Sequence, residues 1–198
     1  MRKLCLVFVV LAATSLLAQQ AAQPKAIIDT TAGKINCTLF PDKAPKSVAN
    51  FIGLATGTKD WRNPKTGQMM KGVPLYNGTI FHRVIPRFMI QGGDPAGNGS
   101  GDPGYGFGIE VTPDLRFDQP GRLAYARTQD PNTNGSQFFI TVGPTSFLDM
   151  QYTIFGQCED REVVQKIVNA PRGANDFPAN PTTINSIMIV QPAKPAAK

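Results

Sequence analysis

The sequence predicts a mainly β fold, an eight-stranded antiparallel sheet closed into a barrel with two α-helices over its open ends. Three observations predict it. Short apolar runs rich in Val, Ile, Phe and Thr recur along the chain, each bounded by Gly, Pro, Asn or Asp. The 19 glycines and 17 prolines supply turns at a density that an all-helical fold does not tolerate. Only two segments carry helical periodicity, and they lie far apart. A length of 198 residues, 41% of them hydrophobic, suits one domain with a real core. Short strands favour closure, because a closed sheet leaves no long unpaired edge.

The elements follow in order. Ala26 to Thr30 and Lys34 to Phe40 read as strands joined through Ala32-Gly33. Asp42 stands where it can cap a helix, in which Val48, Phe51, Ile52 and Ala55 form one apolar face that ends at Gly57. Residues 58–76, with Trp61, Asn63-Pro64, Gly67 and Pro74, show no apolar period and read as a surface loop. Thr79 to Val84 and Met89 to Gly92 return to strand character. The Gly/Pro-rich stretch from Gly93 to Gly121 has a length that compact domains reserve for function. Arg122 to Ala126, Gln137 to Thr141 and Thr153 to Gln157 are three further strands. Val163, Val164, Ile167 and Val168 share a face of a second helix that Pro171 stops, and Ile184 to Val190 is the last strand.

The two ends read differently. Arg2 and Lys3, the apolar run Leu4 to Leu17 and the small and polar residues Ala18 to Gln23 have the order of a secretory signal. Residues 1–24 are therefore expected to be a removable leader with cleavage near Ala18, 25–191 the domain, and 192–198 a flexible tail. The apolar run is shorter than the ~20 residues that span a bilayer, so no permanent membrane anchor is expected. The expected location is periplasmic or secreted. Export would permit Cys37 and Cys158 to pair, but spacing alone leaves two buried free thiols as the plainer expectation.

Several chemistries are excluded. Two of the basic residues behind the net charge of +6 lie in the leader, and no Lys/Arg block is dense enough to bind nucleic acid. Gly99-Ser100-Gly101-Asp102-Pro103-Gly104 has GxGxxG spacing, yet no helical period follows and Pro103 interrupts the turn. With a single histidine, His82, and no CxxC, the chain offers no zinc motif, and GxSxG is absent. Neither metal nor cofactor is expected.

Two long segments carry the chemistry: Phe81-His82-Arg83-Val84-Ile85-Pro86-Arg87-Phe88-Met89-Ile90-Gln91-Gly92-Gly93-Asp94, and Asn132-Thr133-Asn134-Gly135-Ser136-Gln137-Phe138-Phe139-Ile140. They resemble the two signature stretches of cyclophilins, in the same order. The resemblance extends over residues 25–191, through Leu39 to Pro45, Asn50-Phe51, Tyr76 to Thr79 and Phe155-Gly156. It implies a capped eight-stranded barrel and peptidyl-prolyl cis/trans isomerase (rotamase) activity on proline-containing polypeptides, with no covalent intermediate and as a monomer.

The resemblance also implies roles. Arg83 would donate to the twisted amide; its guanidinium is permanently charged and forked, which suits a fixed electrostatic task. Phe88, Met89, Phe139 and Leu148 would form the slot for the proline ring. Gln91 and Gln137 would hold Arg83 and the substrate backbone, and Ala126 would border the groove. Arg127 stands where eukaryotic members often have Asn, and resembles bacterial ones. Among the departures from the common WLDGxH pattern, Phe147 replaces Trp, removing an indole N–H, so weak cyclosporin binding is expected, and Tyr152 replaces His. His82 precedes Arg83, so strand alternation aims it at the opposite face and predicts a structural role. A binding module or holdase that grips proline-containing segments with turnover incidental, and a scaffold using the 58–76 loop, are the competing readings.

Overall fold

In the computed structural model, which describes residues 23–192, eight antiparallel strands form one sheet in the order β10-β1-β2-β9-β7-β8-β6-β5. In chain order the elements are β1 (Lys25–Thr30), β2 (Gly33–Leu39), α1 (Pro45–Thr56), β3 (Trp61–Arg62), β4 (Met69–Met70), β5 (Arg83–Ile85), β6 (Met89–Gly92) and β7 (Arg122–Tyr125), then β8 (Phe138–Thr141), β9 (Ile154–Cys158), α2 (Arg161–Val168) and β10 (Ile184–Val190). Most of the predicted leader and most of the tail lie outside the described residues. No helix among those described is long and apolar enough to cross a membrane.

Closure is less complete than the sequence suggested. The seam between β5 and β10 carries no ladder; one bridge, Ile80 to Thr183, joins it, with Phe81 N donating to Thr182 O and Ile184 N to Thr79 O. The run expected as a strand over Thr79 to Val84 is therefore a bridge followed by the short β5. Gly92, against Ile80 and Phe81, has no room for a side chain: a Cβ there would sit 3.0 Å from Ile80 O.

Alternation divides each central strand between two cores. Val84, Ile90, Leu123, Tyr125, Phe138 and Ile140 point into the barrel, whose interior is closed by Phe51 of α1. Phe138 meets Phe51, Tyr76 and Phe81 edge-on, at 5.7, 5.6 and 6.1 Å between ring centroids. Met89, Ala124 and Phe139, one residue away on the same strands, instead join Phe117, Leu148 and Ile154 in a second cluster on the outer face. That outer face carries the site.

Three local expectations are corrected. Asp42 does not cap α1: Ala44 holds the cap position, and the Glu110 carboxylate, from the long loop, accepts the N–H groups of Lys46 at 3.0 Å and Ser47 at 2.8 Å. A cap supplied from 64 residues away leaves no local spacing to read. The segment 58–76 is not wholly irregular, because β3 and β4 pair and Trp61 is buried, donating its indole N–H to Val73 O at 2.8 Å. Strands of two residues are too short for alternation to announce them.

The third correction concerns the cysteines, which form a disulfide across β2 and β9. Phe40 N donates to Phe155 O and Glu159 N to Asn36 O, so the hydrogen-bonded rungs flank Cys37 and Cys158. The two therefore occupy a non-hydrogen-bonded rung, where antiparallel backbones come closest, and their Cα atoms lie 3.9 Å apart. Only the register of strands 121 residues apart produces that juxtaposition.

Candidate active site

One rung across four strands assembles the centre of the site. Arg83 pairs with Gln91, Gln91 with Phe139, and Phe139 with Ala124, so all four side chains emerge on the same outer face. Met89 lies two residues before Gln91 and shares that face. The turn from β5 to β6 brings in Phe88, tied on both sides because its N–H donates to Ile85 O and its carbonyl accepts from Val142 N. Arg87 at the centre of this turn has φ 65°, a left-handed conformation that folds the chain back within three residues.

A second layer closes the slot from the side. Leu148 ends a single 3-10 turn, Ser146–Leu148. The following Asp149 accepts Phe117 N at 2.7 Å and Arg116 Nε at 3.1 Å, fixing that turn to the long loop. Phe117 stacks on Phe139 at 5.9 Å and Tyr152 meets Phe139 edge-on at 5.8 Å. The long loop thus lies beside the site.

The resulting slot is lined by Arg83, Phe88, Met89, Gln91, Ala126, Arg127, Phe139, Leu148 and Tyr152, all of them expected site residues. Gln137 lines an adjoining hollow with Gly99–Asp102, Thr128 and Thr133. Phe147 lines neither; it is 65% exposed on the rim and packs against Phe88 at 5.6 Å. The slot is apolar at its base and cationic at one end.

A chain of amides holds that cation. Arg83 Nη1 donates to Gln91 Oε1 at 3.4 Å, Gln91 Nε2 to Gln137 Oε1 at 2.9 Å, and Gln137 Nε2 to Gly99 O at 3.0 Å and Gly101 O at 2.8 Å. The loop that receives it is fixed in turn by buried Asp94, which accepts the N–H groups of Ala96, Asn98 and Gly99. Gly101 is required there, since a Cβ would fall 2.1 Å from an Asp94 carboxylate oxygen. The GxGxxG spacing is thereby explained as loop geometry. Truncation by Gln137→Ala cuts this relay: we expect kcat/KM on a prolyl peptide to fall about three- to tenfold, with unfolding free energy changed by no more than about 1 kcal/mol. A peptide isomerisation assay beside thermal unfolding checks both.

Arg127 acts differently from Arg83. Its guanidinium caps chain turns, donating to Gln151 O through Nε and Nη2 and to Thr128 O and Gln129 O through Nη1, and it lies 4.6 Å from the centroid of the Tyr152 ring. His82 is buried just before β5 and lines the same cleft as Arg83, Gln91 and Gly99, so the opposite-face expectation from alternation does not hold: the strand begins only at Arg83; burial lowers its pKa. Sequence reading missed Gly99–Asp102, Thr128 and Thr133, because their contribution depends on where two loops meet.

No nucleophile with an adjacent base points into the slot. With the Arg127 guanidinium committed to backbone carbonyls, Arg83 is the charged donor free to serve a ligand, and it and the apolar side chains beside it fit a planar group that loses conjugation on twisting. A family profile described as cyclophilin type peptidyl-prolyl cis-trans isomerase/CLD matches residues 25–189. The chain belongs to the cyclophilin family. This cyclophilin is 50% identical over 171 residues to peptidyl-prolyl cis-trans isomerase A of Mycobacterium tuberculosis, covering 85% of this chain and 93% of that protein. It is 48% identical over 173 residues to isomerase B of Streptomyces anulatus, covering 85% and 98%. A solved cyclophilin from Cryptosporidium parvum, crystallised in the presence of the dipeptide Ala-Pro, superposes with a TM-score of 0.73 at 34% identity, covering 85% of this chain and 99% of that one. The protein is a peptidyl-prolyl cis/trans isomerase.

Proposed function

We propose that this cyclophilin accelerates rotation about X-Pro bonds in exported proteins, with Arg83 as the catalytic donor. The amide barrier of about 18–20 kcal/mol comes from resonance that twisting destroys. At the twisted geometry the prolyl nitrogen recovers its lone pair and becomes a better acceptor. A donor aimed at it then binds the transition state more tightly than either planar isomer, which is what catalysis requires. Phe88, Met89, Phe139 and Leu148 hold the proline ring while the flanking chain turns. Gln91 and Gln137 keep the guanidinium in place, and nothing covalent is needed.

The observation that carries the reading is the juxtaposition of Arg83, on its amide relay, with a slot lined by Phe88, Met89, Phe139 and Leu148. The export half of the proposal is supported by the basic-then-apolar order of residues 2–17 and by the Cys37–Cys158 disulfide, since such bonds persist in oxidising compartments. A monomer with weak cyclosporin affinity belongs to the same proposal, because Phe147 offers no indole donor at the rim.

The test is refolding of an exported protein limited by a native cis-proline, a step that takes tens of seconds or more unaided. Substoichiometric enzyme is expected to accelerate that phase and Arg83→Ala to leave it slow. Expressed from its whole sequence, the protein is expected outside the cytoplasm with a new N-terminus near Gln19. Cytoplasmic retention with an intact N-terminus would remove the export half and leave the isomerase half standing.

A further inference from the structure

Between α2 and β10 a small hairpin reaches back onto β5. Arg172 bridges Pro178, Gly173 N donates to Phe177 O at 2.9 Å, and Ala179 N to Pro171 O at 2.7 Å. At its tip Phe177 N donates to Ala174 O, and the two central residues, Asn175 and Asp176, have φ 58° and 59°. Positive φ at both central positions defines a type I′ turn, whose sequence of choice is Asn-Gly. Here the second place holds Asp, a residue with a Cβ where glycine has the easier conformation.

The carboxylate kept at that place is spent on a specific neighbour. Asp176 Oδ1 lies 3.3 Å from Arg172 Nε, which pins it within the hairpin, and Oδ2 lies 3.9 Å from Arg83 Nε. The tip stands across a cleft from Arg83, Gln91 and Asn98. Arg83 is thus held from two sides: Gln91 accepts from its Nη1, and Asp176 faces its Nε. The guanidinium thus has an amide acceptor beside Nη1 and a carboxylate beside Nε, two directions that bias its orientation, and Nη2 is the nitrogen left uncommitted among the described contacts. Arg83 is otherwise a long, half-exposed side chain with many rotamers, and misplacing a donor by an ångström is enough to slow a reaction severely.

We propose that Asp176 is a positioning residue for the isomerase reaction, orienting the Arg83 guanidinium from the tip of the 171–179 hairpin. The inference rests on Arg83 being the catalytic donor. Strained backbone retained beside a reaction site is the expected pattern for such a role.

The experiment compares Asp176→Asn, Asp176→Gly and Arg83→Ala with the parent, reading kcat and KM on a prolyl tetrapeptide, the Arg83 Nε–Hε cross-peak in a proton–nitrogen spectrum, and thermal unfolding. Both Asp176 variants are expected to lower kcat about three- to tenfold, to leave KM within about twofold, and to shift the Arg83 cross-peak. Asp176→Gly is informative because glycine suits the turn: it is expected to unfold no earlier than the parent and still to be slower. Parent kcat and an unmoved cross-peak in both variants would reduce Asp176 to a turn residue and overturn the proposal, while Arg83→Ala stayed slow. Full activity in Arg83→Ala would instead remove the donor assignment itself, and the orienting role with it.

Discussion

Replacing Arg83 with alanine is expected to lower kcat/KM for a prolyl tetrapeptide by at least about tenfold, and on the order of 10²-fold if one aimed donor carries the usual share of electrostatic catalysis. A 10²-fold loss corresponds to about 2.7 kcal/mol of transition-state stabilisation. KM is expected to change little, because Phe88, Met89, Phe139 and Leu148 still form the slot that holds the ring. A loss confined to kcat is the signature of an interaction made only in the transition state. Arg83→Lys is expected to fall between parent and alanine: the charge remains, but an ammonium cannot keep both the Gln91 amide and the substrate in the fixed directions of a guanidinium. Arg83 is exposed and packs into neither core, so thermal unfolding of the alanine variant is expected to match the parent, and a kinetic loss then reads as chemistry.

Removing the disulfide with Cys37→Ala/Cys158→Ala is expected to destabilise the protein by about 2–5 kcal/mol. The cysteines are 121 residues apart, and closing a loop of that length restricts the unfolded chain severely; the chain-entropy relation gives about 4.7 kcal/mol for 100 residues. For a domain of this size each kcal/mol moves the melting temperature by roughly 2–4 °C, so a fall of about 4–20 °C is expected by calorimetry. Activity well below the melting point is expected to stay within about twofold of the parent, since the bridge joins β2 to β9 and the site's donor and amides stand on β5, on β6 and just before β8. Both sulfurs belong to buried residues, so the substitution is a cleaner probe than a reductant, which must first open the sheet. A shift below about 2 °C would contradict the cross-link's expected contribution.

What the sequence made legible follows from how local each signal is. The β6 and β10 boundaries were read to the residue: Met89 to Gly92 stops at the Gly92-Gly93 pair, and Ile184 to Val190 stops before Gln191-Pro192. The C-terminus of α1 was legible because Gly57 adopts the left-handed cap that glycine favours, at φ 75°. Its buried face was only partly legible: Val48, Phe51 and Ala55 are inside, but Leu54 is as well, and Ile52 is only half-buried. Among the site residues, the family resemblance gathered the slot, and alternation by itself explains why Met89 and Gln91 part from Ile90. Glu110 under α1, the Cys37–Cys158 rung and Asp176 beside Arg83 were not legible. Each is a contact between segments separated by 63 residues or more, and no spacing within either segment announces it.

The central claim is that proline is turned over on the outer face of β5, β6, β7 and β8, against Arg83. The most direct test adds an unlabelled X-Pro tetrapeptide to isotopically labelled protein and follows the backbone and Arg83 side-chain resonances. The account predicts that the largest shifts fall on Arg83, Phe88, Met89, Gln91, Ala126, Phe139 and Leu148, with cis and trans peptide signals exchanging only while enzyme is present. Shifts concentrated elsewhere, such as the hollow between Pro120, Val142 and Val164, with the Arg83 resonances unmoved during exchange, would contradict it.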